Sequence, residues 1–182
     1  MALVKKYEGI WNRLGSIGKI GKNVIYGICN KNGKRRKRTF WINKTKLEIW
    51  HYREQGKKYK VEDLEGILAY ENRKIIGIGL YYVKNRECEI VLLEALIQKK
   101  GIGTKIIEKI KEIAITYKCK RLWLITSNDN IDAIKFYQRR GFCISNFYKN
   151  AMEESRKLKP EIPLIGEYEI PIRDEIEFEM EI

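Results

Sequence analysis

The residues Gln98, Lys99, Lys100, Gly101, Ile102 and Gly103 stand between an apolar run and an amphipathic one, and this junction restricts the fold of the chain more than any other feature. Ahead of it, Cys88 to Ile97 is short, apolar and rich in branched side chains, which predicts a largely buried strand. Behind it, Ile106, Ile107, Ile110, Ile113, Ala114 and Tyr117 recur at three- and four-residue intervals. That spacing predicts a helix with one apolar stripe, its Lys105, Glu108, Lys109, Lys111 and Glu112 facing water. Glycine at 101 and 103 lets the backbone adopt conformations closed to other residues and admits a ligand where no Cβ intervenes. A helix starting there presents unpaired N–H groups and the positive end of its dipole, a favourable place for a pyrophosphate, with Lys99 and Lys100 adding charge. Taken alone, the two glycines also fit an ordinary strand-to-helix turn.

A second segment follows about thirty residues later, with Asn130, Ala133, Phe136, Tyr137, Gly141 and Phe142 at fixed offsets. It places a tyrosine hydroxyl on another helix, from about Asn130 to Arg140, just past a predicted strand from Arg121 to Thr126.

The two segments together resemble the GNAT superfamily of N-acetyltransferases. Gln98, Gly101 and Gly103 match its pyrophosphate loop, and Asn130 to Phe142 matches its other motif residue for residue, in the right order. The resemblance covers about 64–182. It implies an α/β (α+β) fold with a mixed, mostly antiparallel sheet splayed between its fourth and fifth strands and helices on both faces. Strands are expected at Gly66 to Glu71, Ile75 to Val83, Phe142 to Tyr148 and Glu175 to Ile182, the last marked by strict alternation. The tail, from Ser155 to Pro163 and Ile170 to Glu177, is similar to a bacterial and archaeal subgroup of that superfamily.

The resemblance further implies acetyl-CoA as co-substrate and an amine of a small molecule, peptide or protein as acceptor. Leu93, Ala95, Gln98, Lys99, Lys100, Gly101, Ile102, Gly103, Thr104, Asn130 and Tyr137 are the implied cofactor-binding residues. The pantetheine arm would lie in the splay, paired with backbone near Leu93 to Ala95 like an added strand. Tyr137 matches the position of the proton donor to the departing thiolate; a phenol, with a reference pKa of about 10, stays protonated at neutral pH. It also fits a tyrosine that packs at a helix end. For a base, Glu89 resembles the glutamate of some histone-modifying members, while Glu94 lies closer to the acetyl end. Five residues apart on one strand, the two are expected on opposite faces. Either also fits a solvated or ion-paired strand residue, and deprotonation through water needs neither.

At 182 residues the chain is expected to be one domain with a sizeable core. Its start shows no apolar run of signal-peptide length and nothing approaches a membrane span, so a cytoplasmic protein is expected. Cys29, Cys88, Cys119 and Cys143 are scattered, without metal-ligand spacing, and neither a metal site nor disulfides are expected. A homodimer is compatible with the resemblance.

Charge divides the chain. Of 37 lysines and arginines, 17 fall in residues 1–60 against three of the 24 acids, so the formal net charge of +13 resides in the first third. This basic region, 1–60, departs from the superfamily pattern and is set apart from the 61–182 core. Its densest part, Lys31 to Arg38, lies between apolar runs at Val24 to Cys29 and Thr39 to Ile42, which predicts a β-hairpin with a basic tip. Basic clusters near aromatics also suit nucleic acid, leaving open an alternative in which the chain is a binding or regulatory module. His51, beside Trp50 and Tyr52, has no partner constellation for catalysis.

Overall fold

The computed structural model of the chain describes residues 64–71, 74–98, 100–158 and 160–182, together with short strands at 25–29, 49–50 and 58–59. In chain order the strands are β1 (Ile25–Cys29), β2 (Ile49–Trp50), β3 (Lys58–Tyr59), β4 (Glu65–Glu71), β5 (Lys74–Lys84), β6 (Glu87–Ala95), β7 (Arg121–Ser127), β8 (Cys143–Tyr148) and β9 (Glu175–Glu181). Among the described residues the α-helices are α1 (Ile102–Thr116), α2 (Ile131–Gln138) and α3 (Ala151–Leu158). Seven strands form one sheet in the order β1-β4-β5-β6-β7-β9-β8, and β2 pairs with β3 separately. Every pairing in the large sheet is antiparallel except β6 with β7, the fourth and fifth in line. That pair is joined through α1, the crossover a parallel connection requires.

β1 pairs with β4 at the sheet edge, so that Ile25–Cys29 of the first third joins the core sheet. The other arm of the expected hairpin, residues 39–42, lies outside the described residues, as do Lys31 to Arg38 and His51.

α1 lies directly on β5 because two glycines leave room for it. A Cβ on Gly79 would come within 2.4 Å of Ile106 Cγ2, and one on Gly77 within 2.7 Å of Ile102 Cγ2. Ile102, Ile106, Ile107 and Ile110 are buried against this surface, each contributing roughly 1.5–3 kcal/mol. Tyr117, expected on the same apolar stripe, caps the helix in the solvent, where its hydroxyl reaches Glu65 at 3.4 Å. The core continues through Leu122, Leu124 and Phe178 on β7 and β9, under Tyr137 of α2. The helix α3 was not anticipated; its Arg156 donates to the carbonyls of Ile162, Pro163 and Ile172 and so ties down the segment leading to β9. Among the described residues no helix is long and apolar enough to cross a membrane.

Candidate active site

The β6–β7 ladder ends early. Glu87 faces Arg121, Cys88 faces Leu122 and Glu89 faces Trp123, after which the paired register stops while both strands run on. The sheet is therefore splayed between its fourth and fifth strands, the expected place.

A bulge decides which side chains look where. Tyr81 faces Ile90, yet the next residue back, Leu80, faces Leu92, so Val91 is an extra residue in β6. Two residues opposite one reset the alternation of the bulged strand. Leu93 and Ala95, opposite Gly79 and Gly77, turn toward α1, whereas Glu94, opposite Ile78, turns away from it. Glu89, opposite Tyr82, turns away as well. Glu89 and Glu94 thus share the face opposite α1, contrary to the strict alternation expected from a separation of five. Glu89 is 3 % exposed and receives the hydroxyl hydrogen of Tyr59, while Glu94 is half-buried.

Below the splay opens the mouth of α1. Gly101 caps the helix at φ +71°, the left-handed region that glycine enters without strain. The first intrahelical bond is Lys105 N to Gly101 O at 3.1 Å, so the N–H groups of Ile102, Gly103 and Thr104 have no acceptor within the helix. The first turn holds no acid that would compete for an anion. Gln98 and Lys100 flank it in the solvent, with Lys100 3.8 Å from Glu71; Lys99 lies outside the described residues. Arg140, which sequence reasoning passed over, donates to Thr104 Oγ1 at 2.8 and 2.5 Å and stacks on Phe136 with its Cζ 3.4 Å from the ring centre. Partial burial, then the charge of Arg139, lowers its pKa.

α2 supplies the phenol. Asn130 accepts the N–H of Ala133 at 3.2 Å and caps the helix, a structural task for a residue expected at the cofactor. At the other end Gly141, at φ +84°, turns the chain so that Phe142 N–H returns to Tyr137 O. Tyr137 is thereby fixed among Phe136, Phe142 and Phe178, ring centres 5.3, 5.7 and 6.2 Å away. Burial pushes its pKa up to about 12 although the charge of Arg140 pulls the other way, so the hydroxyl keeps its proton.

The face opposite α1 is acidic. On β9, Glu175, Glu177 and Glu179 alternate onto it, opposite Ser127, Ile125 and Trp123. Arg121 answers several carboxylates at once, 3.2 Å from Glu87, 3.2 Å from Glu177 and 2.6 Å from Glu179. Glu177 also accepts from Ser145 at 3.0 Å and Tyr148 at 2.7 Å. Neither Tyr59 nor these β9 acids were singled out from sequence. The alternation of the tail put the acids on one face, but only the register brings them opposite β7.

These features agree with comparisons to known proteins. The model of the acetyltransferase (GNAT) family matches residues 36–142, more than half of the chain. The Bacillus subtilis protein YdhI is 44 % identical over 121 residues, 66 % of this chain and 76 % of its own. Among solved structures, an IAA acetyltransferase from Bacillus cereus superposes with a TM-score of 0.67 at 23 % identity, covering 87 % of this chain and 99 % of that one. A GNAT family acetyltransferase from Elizabethkingia anophelis, with acetyl-CoA bound, does so with a TM-score of 0.67 at 22 % identity, over 89 % and 100 %. Motifs, splayed sheet and family match converge: the chain belongs to the GNAT family of acetyltransferases.

Proposed function

We propose that the protein moves the acetyl group of acetyl-CoA to a primary amine of a small molecule, peptide or protein by direct attack in a ternary complex. One observation carries this reading: three N–H groups with no acceptor inside the helix stand at the acid-free mouth of α1, beside the β6–β7 splay, with a buried phenol on the adjoining helix. The diphosphate of the donor binds the N–H groups of Ile102, Gly103 and Thr104, with Lys99 and Lys100 adding charge. Leu93 and Ala95 offer backbone groups to the pantetheine arm, and a main-chain N–H there polarises the thioester carbonyl.

The acceptor approaches from the face that carries Glu89. Its nitrogen must be neutral to attack, and Glu89 takes the proton it sheds, positioned by the hydroxyl of Tyr59. As the new C–N bond forms and the C–S bond breaks, Tyr137 shares its proton with the leaving sulfur and regains one from solvent. Incubating the purified protein with acetyl-CoA and a panel of amines and peptides, and following free thiol, tests the reaction. Titration calorimetry with acetyl-CoA tests the binding. Absence of association at millimolar donor would overturn the reading.

A further inference from the structure

Glu175 is a buried carboxyl group without a use in the scheme above. It is 5 % exposed, its Oε2 has no hydrogen-bond partner, and no ion pair reaches it among the described residues, in a chain of formal net charge +13. The other buried acids on the same face are provided for: Glu177 by Arg121, Ser145 and Tyr148, and Glu89 by Tyr59; the half-buried Glu179 is met by Arg121 as well. Buried carboxylates are normally paired or hydrogen-bonded, because desolvation without compensation costs several kcal/mol. One left unanswered beside a binding cleft marks a place where the missing partner belongs to a ligand.

Its position follows from the register. Glu89 stands opposite Trp123, Trp123 opposite Glu179, and Glu175 lies four residues along β9 from there, opposite Ser127 at the end where the splay opens. Two strand spacings sideways and four residues along place Glu89 and Glu175 about 16 Å apart on one face. A single amine does not touch both; a chain with an amine at each end does.

We propose that Glu175 is a specificity residue that anchors a second, distal ammonium group of the acceptor, so that the preferred substrate class is a flexible aliphatic chain with amino groups roughly 10–16 Å apart. The inference rests on the acetyl-transfer reading for the role of Glu89. An aliphatic amine arrives protonated at neutral pH. Burial pushes the carboxyl of Glu175 up to about 8, and an incoming cation favours its charged form, so binding releases that proton to solvent. The near amine meets Glu89, while Glu177 and Glu179, engaged by Arg121, present less net charge between the two ends.

The test is calorimetric binding of aliphatic α,ω-diamines of increasing length, and of monoamines of equal length, to the full chain loaded with coenzyme A. For the wild type, diamine affinity should rise with length, peak where the nitrogens span roughly 10–16 Å, and exceed that of the matched monoamine by about tenfold or more. Glu175→Gln should erase this margin, leave monoamine affinity unchanged and retain coenzyme A, which verifies folding. A flat length profile in the wild type, or a margin that survives in Glu175→Gln, overturns the proposal. Because affinity is read without turnover, a protein that binds diamines by this pattern yet transfers no acetyl group would count against the catalytic reading alone.

Discussion

Gly103 at the mouth of α1 faces Phe136 of α2 so closely that a Cβ on the glycine would lie 3.0 Å from the ring's Cζ. The two motifs of the family thus meet physically. Gly101 differs: a Cβ there would find nothing within 4 Å, and glycine is required by the backbone, at φ +71°. One glycine permits close packing of the anion-binding turn onto the phenol-bearing helix, and the other shapes the turn.

Gly103→Ala should therefore lower stability by about 1–3 kcal/mol through overpacking, and Phe136→Leu in the same chain should recover part of that loss. Gly101→Ala should cost about 1–2 kcal/mol from conformation alone, with no recovery from Phe136→Leu. Urea unfolding of the two double-mutant cycles checks this. Equal coupling of both glycines to Phe136 would refute the assignment.

Tyr137→Phe should lower kcat by about 10²–10⁴-fold if the phenol serves as the acid, with the KM for acetyl-CoA unchanged. The hydroxyl's raised pKa sets the pH window. A folded value near 12 against about 10 unfolded means that the folded state holds the proton more tightly. Its stabilising effect is complete below pH 10 and is lost as the pH rises toward 12. The wild type should accordingly show no loss of kcat from ionisation of this group below roughly pH 11. Stopped-time assays of both proteins across pH 7 to 11 read this directly.

What could be read from the residues was local. The glycine turn at Gly101 belongs to a short segment whose neighbours along the chain dictate its conformation. The facing of Glu89 and Glu94 was not legible, because the bulge at Val91 is set by the partner strand β5 and period-two counting passes over it. Tyr59 reaches Glu89 from a strand of two residues, too short to carry a pattern. From the motif Asn130 reads as a cofactor contact alone, and the structure adds a second task, the cap made when its side-chain oxygen accepts Ala133 N–H. The purpose of Gly77 and Gly79 emerges only with α1 laid across them.

Arg121→Ala should destabilise the fold by about 3–5 kcal/mol, since Glu177, with its side chain 6 % exposed, would remain buried beside Glu179 without the guanidinium. Adding Glu177→Gln should return part of this, as the amide carries no charge to leave uncompensated while still meeting Ser145 and Tyr148. Denaturant midpoints of the single and double variants decide. If Glu177→Gln gives no rescue, the arginine acts through its packing on Trp123 instead, 5.3 Å from the ring centre.

Glu175 makes the stability of the protein depend on pH in a direction opposite to that of an ordinary surface carboxylate. Burial raises its carboxyl from 4.5 to about 8, so between these values the folded chain holds a proton that the unfolded chain has released. Its contribution is full below pH 4.5 and falls away as the pH climbs through 8, by up to about 5 kcal/mol in the limit of an unrelaxed site. The charged and titratable groups on the same face include Glu177 and Glu179 alongside it on β9, Arg121 on β7, Tyr148 on β8, directly opposite in register, and Glu87, Glu89 and Glu94 on β6. Because Glu175→Gln leaves all of these in place, the difference between wild type and variant isolates the one carboxyl. The wild type should lose several degrees of melting temperature relative to Glu175→Gln between pH 5 and pH 8. Parallel melting curves at both pH values would show that the carboxyl ionises freely in the fold and is not the desolvated group described above. A long diamine should raise the wild-type melting temperature at pH 8 by more than that of the variant, in which only the near amine is held, while the matched monoamine should raise both alike.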